Sequence, residues 1–311
     1  MPDQKPKPDK GDKKPKGGDK AKGKKDQIDQ DEIEQEYGLA YALFKAYPEL
    51  NDLLKKATGQ SWSATRFQVE LRQTDWFKQH SDIWRQNQAL KYSDPTTYQE
   101  RLNNSLTQVQ NLAGTFGAGL SEKASRRLAE RALLLGMSED QIRDKLANFV
   151  TPSRGAGYGG QLAPIEEDLR STALRNGVRI SKDQLQKWMQ NIVRGNSSQE
   201  QYQNFIRNQA AASFPTYAEQ IRGGMDLADV ASPYVQSMAD ILELNAGSID
   251  LYDRTLRRAL AHTNAKGDYV PMSISDFEDE LRADPRWART KQANEQARGY
   301  ATAFAKMWGL Q

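Results

Sequence analysis

From residue 28 onward the sequence is a run of short segments in which apolar residues recur every three or four positions. Each segment is bracketed by residues that start or stop a helix. "DEIEQEYGLAYALFKAY" opens with acids, which favour the positive end of a helix dipole. Pro48 can then restart a helix in "PELNDLLKKATG", which ends at Gly59. "TTYQERLNNSLTQVQNLAGTFG" sets Tyr98, Leu102, Leu106, Val109 and Leu112 on one stripe, and "RTKQANEQARGYATAFAKMWGLQ" turns its apolar side toward Phe304 and Trp308. Alternating β-branched runs between Asn-Gly or Asp-Gly turns are missing. The expected fold is all-α, a multi-helix array of short helical hairpins with a disordered Lys-rich N-terminal tail.

A pattern recurs within these segments at an offset of 60, pairing Gly117 with Gly177, Ser121 with Ser181, Ser138 with Ser198 and Gln141 with Gln201; Gly136 and Gly195 slip by one. Each copy makes physical sense as two helices. A glycine supplies the left-handed residue that ends the preceding helix, and a serine caps the next. A second glycine stops that helix, and Ser-x-x-Gln opens another as a capping box. "GGMDLADVA" from Gly223 reuses the glycine-then-aspartate start. Between the two main copies lies "TPSRGAGYGG", residues 151–160, readable as a linker or as a hinge. The expected organisation is a basic tail (1–27), an N-terminal helical subdomain (28–150), the Gly-rich linker (151–160) and a C-terminal helical subdomain (161–311).

Charge separates the tail from the body. Residues 1–25 hold ten lysines against four aspartates, with no aromatic or β-branched residue, and cannot bury enough apolar surface to offset the entropy of ordering. The whole chain carries +3, so the remainder is mildly acidic at about −3. Lys13, Lys14, Lys16, Lys24 and Lys25 could touch nucleic acid, weakly and salt-dependently, but interspersed aspartates and the lack of arginine argue against base-specific contact. A solubilising arm is the other reading. No apolar run approaches the length that spans a bilayer, and the N-terminal stretch has no hydrophobic segment of a secretory signal.

The residue inventory excludes much chemistry. There is no cysteine, and only His80 and His262 could act as imidazoles, without metal-ligand spacing. "SIDLYD" (248–253) and "DFEDE" (276–280) gather carboxylates but lack a calcium-loop glycine, and read as helix-start acids. "GAGYGG" lacks the strand before it and the Gly-Lys-Ser/Thr ending of a phosphate cradle. No cofactor is expected. The remaining enzymatic option is a helical peptidoglycan-cleaving glycosidase using Glu70 or Glu280 as acid, since one buried carboxyl of raised pKa can carry that step.

Those two glutamates lie in a phrase written twice, "FQVELRQTDW" (67–76) and "FEDELRADPRW" (277–287). Ser63 or Thr65, matched by Ser273 and Ser275, opens a short helix, Phe67 with Leu71 and Phe277 with Leu281 share a face, and "QTD" or "ADPR" ends the helix and turns the chain. Trp76 and Trp287 then either seal a corner or, with Arg72 and Arg282, offer aromatic–arginine anchors to a partner. Tyr234, Met238 and Ile241 in "SPYVQSMADIL" form a further stripe, readable as core or as a partner surface. The candidate partner-binding residues are thus Phe67, Arg72, Trp76, Phe277, Arg282, Trp287, Tyr234 and Met238.

Three stretches carry a resemblance. "PELNDLLKKA…WSATRFQVELRQTDWFKQHSDIWR" (48–85), "GMDLADVASPYVQSMADILELNAGSIDLYD" (224–253) and "DFEDELRADPRWARTKQA" (276–293) resemble virion-associated proteins, minor tail or internal, of tailed bacteriophages of actinobacteria. The resemblance implies a non-enzymatic virion protein made in the host cytoplasm. The partners expected are other virion proteins and a second copy of the chain; weak DNA contact through the tail is expected from its charge, since the resemblance does not cover the Lys-rich residues. It brings no catalytic residues.

Overall fold

The computed structural model describes residues 30–309. The expected disordered tail and its five candidate DNA-contacting lysines, Lys13, Lys14, Lys16, Lys24 and Lys25, lie outside the described residues. Among the described residues every regular element is helical; Ser153–Gly157 and Thr263–Tyr269 make only isolated bridges. Two compact units result, one ending at Arg101 and one beginning at Leu102.

The first unit contains α1 (Gln30–Tyr37), α2 (Tyr41–Ala46), α3 (Pro48–Gly59), α4 (Ala64–Gln73), α5 (Asp75–Gln79) and α6 (Asp82–Ser93), and the division falls inside α7 (Pro95–Thr115). Ile33, Leu43, Phe44, Leu50, Leu54 and Phe67 fill its core. Phe67 packs on Tyr37 and Phe44, with ring centroids 4.6 and 5.7 Å away. α2 packs against both α3 and α6. None of α1 to α6 exceeds 12 residues, too short to hold itself in water, so burial of one face and capping of the ends must sustain them.

The second unit continues with α8 (Glu122–Leu135), α9 (Glu139–Ala147), α10 (Leu162–Arg175), α11 (Lys182–Arg194), α12 (Gln199–Ser213), α13 (Ala218–Arg222) and α14 (Leu227–Leu242). It closes with α15 (Arg254–Leu260), α16 (Ile274–Ala283) and α17 (Lys291–Met307). The repeated cap pattern is present at each position. Ser121 and Ser181 accept from the third residue of α8 and α11, and Gly136 and Gly195 end those helices in the left-handed region. Ser138 with Gln141, and Ser198 with Gln201, form reciprocal capping boxes.

Packing partners in this unit are often next-but-one helices: α9 with α11, α10 with α12, α14 with α16. Arginines stitch the first pair. Arg143 Nε donates to the Val193 carbonyl (2.9 Å), while Arg194 reaches Asp144 (3.3 Å) and Asn148 (2.9 Å). The fully buried Asn176 joins α10 to α14. Its Nδ2 donates to Thr172 O and Asp226 Oδ1 (2.9 Å each), and its Oδ1 accepts from the Leu227 N–H (3.2 Å). Asp226, at the start of α14, therefore does not cap its own helix; it also pairs with Arg175, and Asn176 supplies the cap from 51 residues away.

The Gly-rich segment 151–160, expected as a linker or hinge, is packed within the second unit. Tyr158 is buried in the same core as Val150 and Leu162, and the Glu166 carboxylate accepts its N–H at 2.8 Å. The backbone lies directly on the end of α7. Gln161 N–H donates to Thr115 O (2.8 Å), and a Cβ on Gly117 would stand 2.5 Å from the Gly159 carbonyl carbon. A Cβ on Gly160 would overlap the Thr115 carbonyl oxygen, at a φ of +57° that side chains rarely adopt. Glycine here permits close approach of two backbones, a role composition alone does not separate from flexibility. Gly160→Ala is therefore expected to destabilise the second unit by roughly 2 kcal/mol or more. Gly155→Ala, at φ +82° with open space around it, should cost only about 1 kcal/mol. Chemical denaturation of the two variants side by side checks this.

Candidate functional site

The repeated phrase builds the same local device twice and then diverges. In the first copy Ser63 accepts from Arg66 N–H, Phe67 and Leu71 bury one face of α4, and Thr74 both ends α4 and caps α5 through Phe77 N–H (3.1 Å). The exposed Glu49, from α3, adds a carboxylate to the same helix start, accepting the N–H groups of Asp75 (2.7 Å) and Trp76 (2.8 Å). Trp76 is buried, edge-on to Tyr47 (5.8 Å) and Trp84 (5.9 Å). His80 stacks on Trp84 at 3.5 Å with Nδ1 on the Trp76 carbonyl (2.7 Å), and Arg85 closes the corner over the Phe77 ring (3.6 Å).

In the second copy Ser273 caps α16 through Asp276 N–H (3.1 Å), and Phe277 and Leu281 are fully buried. The corner is ionic where the first is aromatic. Arg286 donates to Asp284 Oδ2 and Asp253 Oδ2 at 2.7 Å each and to Thr255 Oγ1 at 3.1 Å. Asp253 meanwhile caps α15 through Thr255 N–H (2.8 Å). Hydrogen bonds from Arg286 hold the Asp284 carboxyl well below the usual carboxylate range, and the same pair raises the Arg286 guanidinium further. A half-buried Trp287 follows in a 3-10 turn, Trp287–Arg289, packed against the core.

This corner roots α17. Thr290, itself buried, caps the helix through Ala293 N–H (3.1 Å) and donates to Trp287 O (2.8 Å). Glu243, the left-handed end residue of α14 (φ +51°), sends its carboxylate to the N–H groups of Lys291 (2.9 Å) and Gln292 (3.0 Å). Beyond the buried Ala293 the helix leaves the core. Tyr300 is 67%, Phe304 59%, Met307 76% and Trp308 67% exposed, and these four large apolar side chains share one face. Phe304 and Trp308 touch each other, with centroids 5.8 Å apart. Four large apolar side chains exposed together on one helix face are uncommon on a monomer.

The eight residues expected at partner surfaces fall into three groups. Phe67, Trp76, Phe277, Tyr234 and Met238 are buried within their own unit. Each fills a core position among side chains of its own unit. Tyr234 shows this best: its hydroxyl donates to Met272 O (2.6 Å) and its ring meets Phe277 edge-on at 5.4 Å. Arg72 and Arg282 are exposed, Arg282 pairing along its own helix with Glu278 and Asp279. Trp287 lies between these extremes. The structure unites Tyr234 and Phe277, on α14 and α16; the two corners belong to different units. Glu70 is half-buried on α4, and Glu280 pairs with Arg258 at 3.2 Å. Among the described residues no group of His, Cys, Asp or Glu is placed to hold a metal, and no helix is long and apolar enough to cross a membrane.

Sequence reasoning pointed to the apolar side of the last helix but missed Glu49 and Glu243. Nothing local marks either glutamate, since each caps a helix 26 to 49 residues away.

Phe67→Ala and Phe277→Ala should each cost about 3–5 kcal/mol of unit stability, as core truncations do, while Arg72→Ala stays within about 0.5 kcal/mol. Equilibrium denaturation distinguishes this from a docking role, which would leave all three near neutral. A second expectation concerns acid. The N–H groups of Lys291 and Gln292 lower the Glu243 pKa, so its stabilisation of α17 is complete above the ordinary glutamate range and lost as pH falls through the lowered value. Amide protection in the first turn of α17, corrected for intrinsic exchange, should fall in that acidic window, and Glu243→Gln should remove the dependence.

No protein-family model, no curated protein and no solved structure matches the chain.

Proposed function

We propose that the chain is a non-enzymatic virion protein of a tailed bacteriophage that works through protein–protein contacts, with α17 as its principal contact element. The observation that carries this reading is the exposed Tyr300–Phe304–Met307–Trp308 face on a helix capped at its root by Thr290 and Glu243. A rigid start and a bare aromatic face suit a docking helix, because little ordering entropy remains to be lost on association. The resemblance of residues 48–85, 224–253 and 276–293 to virion-associated proteins of phages of actinobacteria supports the context.

The occupant of that face in this reading is a second copy of the chain. Ala297 and Ala301 lie on the stripe beside the large rings, so an antiparallel pair would set small residues of one helix against rings of the other. Glu295 and Lys306 fall on the opposite side of the helix and stay in water. An aromatic side chain buries about 150–250 Å², so two such stripes would together bury on the order of 1,000 Å², where specific interfaces begin.

Light scattering on the eluting full chain should show a concentration-dependent dimer, and the double change Phe304→Ser with Trp308→Ser should give a monomer of unchanged helix content. A wild-type monomer at every concentration would remove the self-association. The lysines of residues 1–25 would add weak, salt-dependent contact to packaged DNA. Deleting them should abolish retention on DNA at low salt, and unchanged retention would exclude that role. Mass spectrometry of purified particles tests the virion assignment itself.

A further inference from the structure

The second unit contains a depression of about 350 Å³ where the start of α15 and the turn before it meet the end of α12 and the α10–α11 connection. Two arginines line it, Arg179 and Arg257, and no carboxylate does. Neither guanidinium has an acidic partner within ion-pair distance among the described residues. By contrast, Arg175, Arg194, Arg258 and Arg286 are all paired with acids. A second depression, beside α8 and α9, is lined by Arg131 and Lys145 together with Asp140 and Asp144, so its charge is balanced internally.

Both arginines are held in place by aromatic rings. Arg179 lies over Tyr252 at 4.4 Å from the ring centroid, and the Tyr252 hydroxyl is fixed by donation to Val178 O (2.8 Å). Arg257 lies over Phe214 at 4.8 Å, with Nη1 3.5 Å from the Gly177 carbonyl. The acids flanking Tyr252 in sequence, Asp250 and Asp253, do not line the depression. Asp250 accepts the Tyr252 N–H (2.9 Å), and Asp253 holds Arg286 and the start of α15. Gln209 adds a neutral amide to the lining. The adjacent Ser213 hydroxyl already donates to the Gln209 carbonyl (3.1 Å).

We propose that Arg179 and Arg257 form a binding site for a phosphate group, with the Gln209 amide as a third donor. Guanidinium forks match oxyanion geometry, and stacking on rings reduces the freedom each must lose. Two positive groups and an amide on separate walls suit a tetrahedral dianion better than a flat carboxylate. The volume exceeds that of bare phosphate and leaves room beside the Tyr252 ring for an organic substituent. This site does not depend on how α17 is used.

The test is calorimetric titration of the full chain with inorganic phosphate, phenyl phosphate and a single-stranded oligonucleotide, at ionic strength fixed with chloride. Binding of phosphate or phenyl phosphate is expected, and Arg179→Gln, an exposed position, should weaken it about tenfold or more. Tighter binding of phenyl phosphate assigns a phosphomonoester, and equal binding assigns the free ion. Arg257→Gln should act in the same direction, and because that side chain also packs on Phe214, its fold is checked by circular dichroism. Arg282→Gln, on α16, should bind as the unaltered chain does. No phosphate binding at concentrations of about 10 mM, where a functional site would be well occupied, would overturn the proposal. So would equal binding by Arg179→Gln, or binding of the oligonucleotide alone.

Discussion

A helix of two or three turns leaves much of its backbone hydrogen-bonding capacity at its two ends, and this protein is built mainly from such helices. The satisfaction of those ends is the constraint on which the rest depends. Serines or threonines cap α4, α5, α6, α8, α9, α11, α12, α16 and α17 from the adjoining residue. At three helix starts a partner also comes from far along the chain and does two jobs at once. Glu49 and Glu243 each take two N–H groups of a distant helix start, and Asn176 takes one of α14. These contacts cap an end and fix the position of one helix against another.

The two corners show how one local sequence leads to different surroundings. Both copies start on a serine, bury Phe and Leu four residues apart and stop after ten residues. After the stop, the first copy places a buried tryptophan among Tyr47, His80 and Trp84. The second has Arg286, which draws Asp284 and Asp253 into a partly buried ionic knot and leaves Trp287 half-exposed. A partly buried ion pair of this kind holds geometry well because removing either partner strands a charge. Here it fixes the base from which α17 departs.

The helical character, the serine caps, the glycine stops and the capping boxes were legible because each depends on residues at most four apart. The stripe on α14 was legible as apolar, but whether Tyr234 and Met238 faced a core or a partner depended on α16 packing against it. The glycines of 151–160 were legible as glycines, but their purpose was not. Flexibility and close packing use the same residue, and only the position of Thr115 and Gly117 tells them apart. Arg179 and Arg257 lie 78 residues apart and carried no shared signal; the fold places both at one depression.

By itself, the sequence determined where helices begin and end, which face of each is apolar, and that positive charge is concentrated before residue 26. Those properties are local, set by side chains acting on their own or neighbouring backbone. Tertiary structure decided which apolar faces found a partner. Phe67, Phe277 and Tyr234 did, and became core; Tyr300, Phe304 and Trp308 found none among the described residues and are exposed. The physical reason is that burial is a property of pairs of surfaces. A stripe in a sequence states only that a surface is available, and the packing of the other helices determines whether anything within the chain covers it.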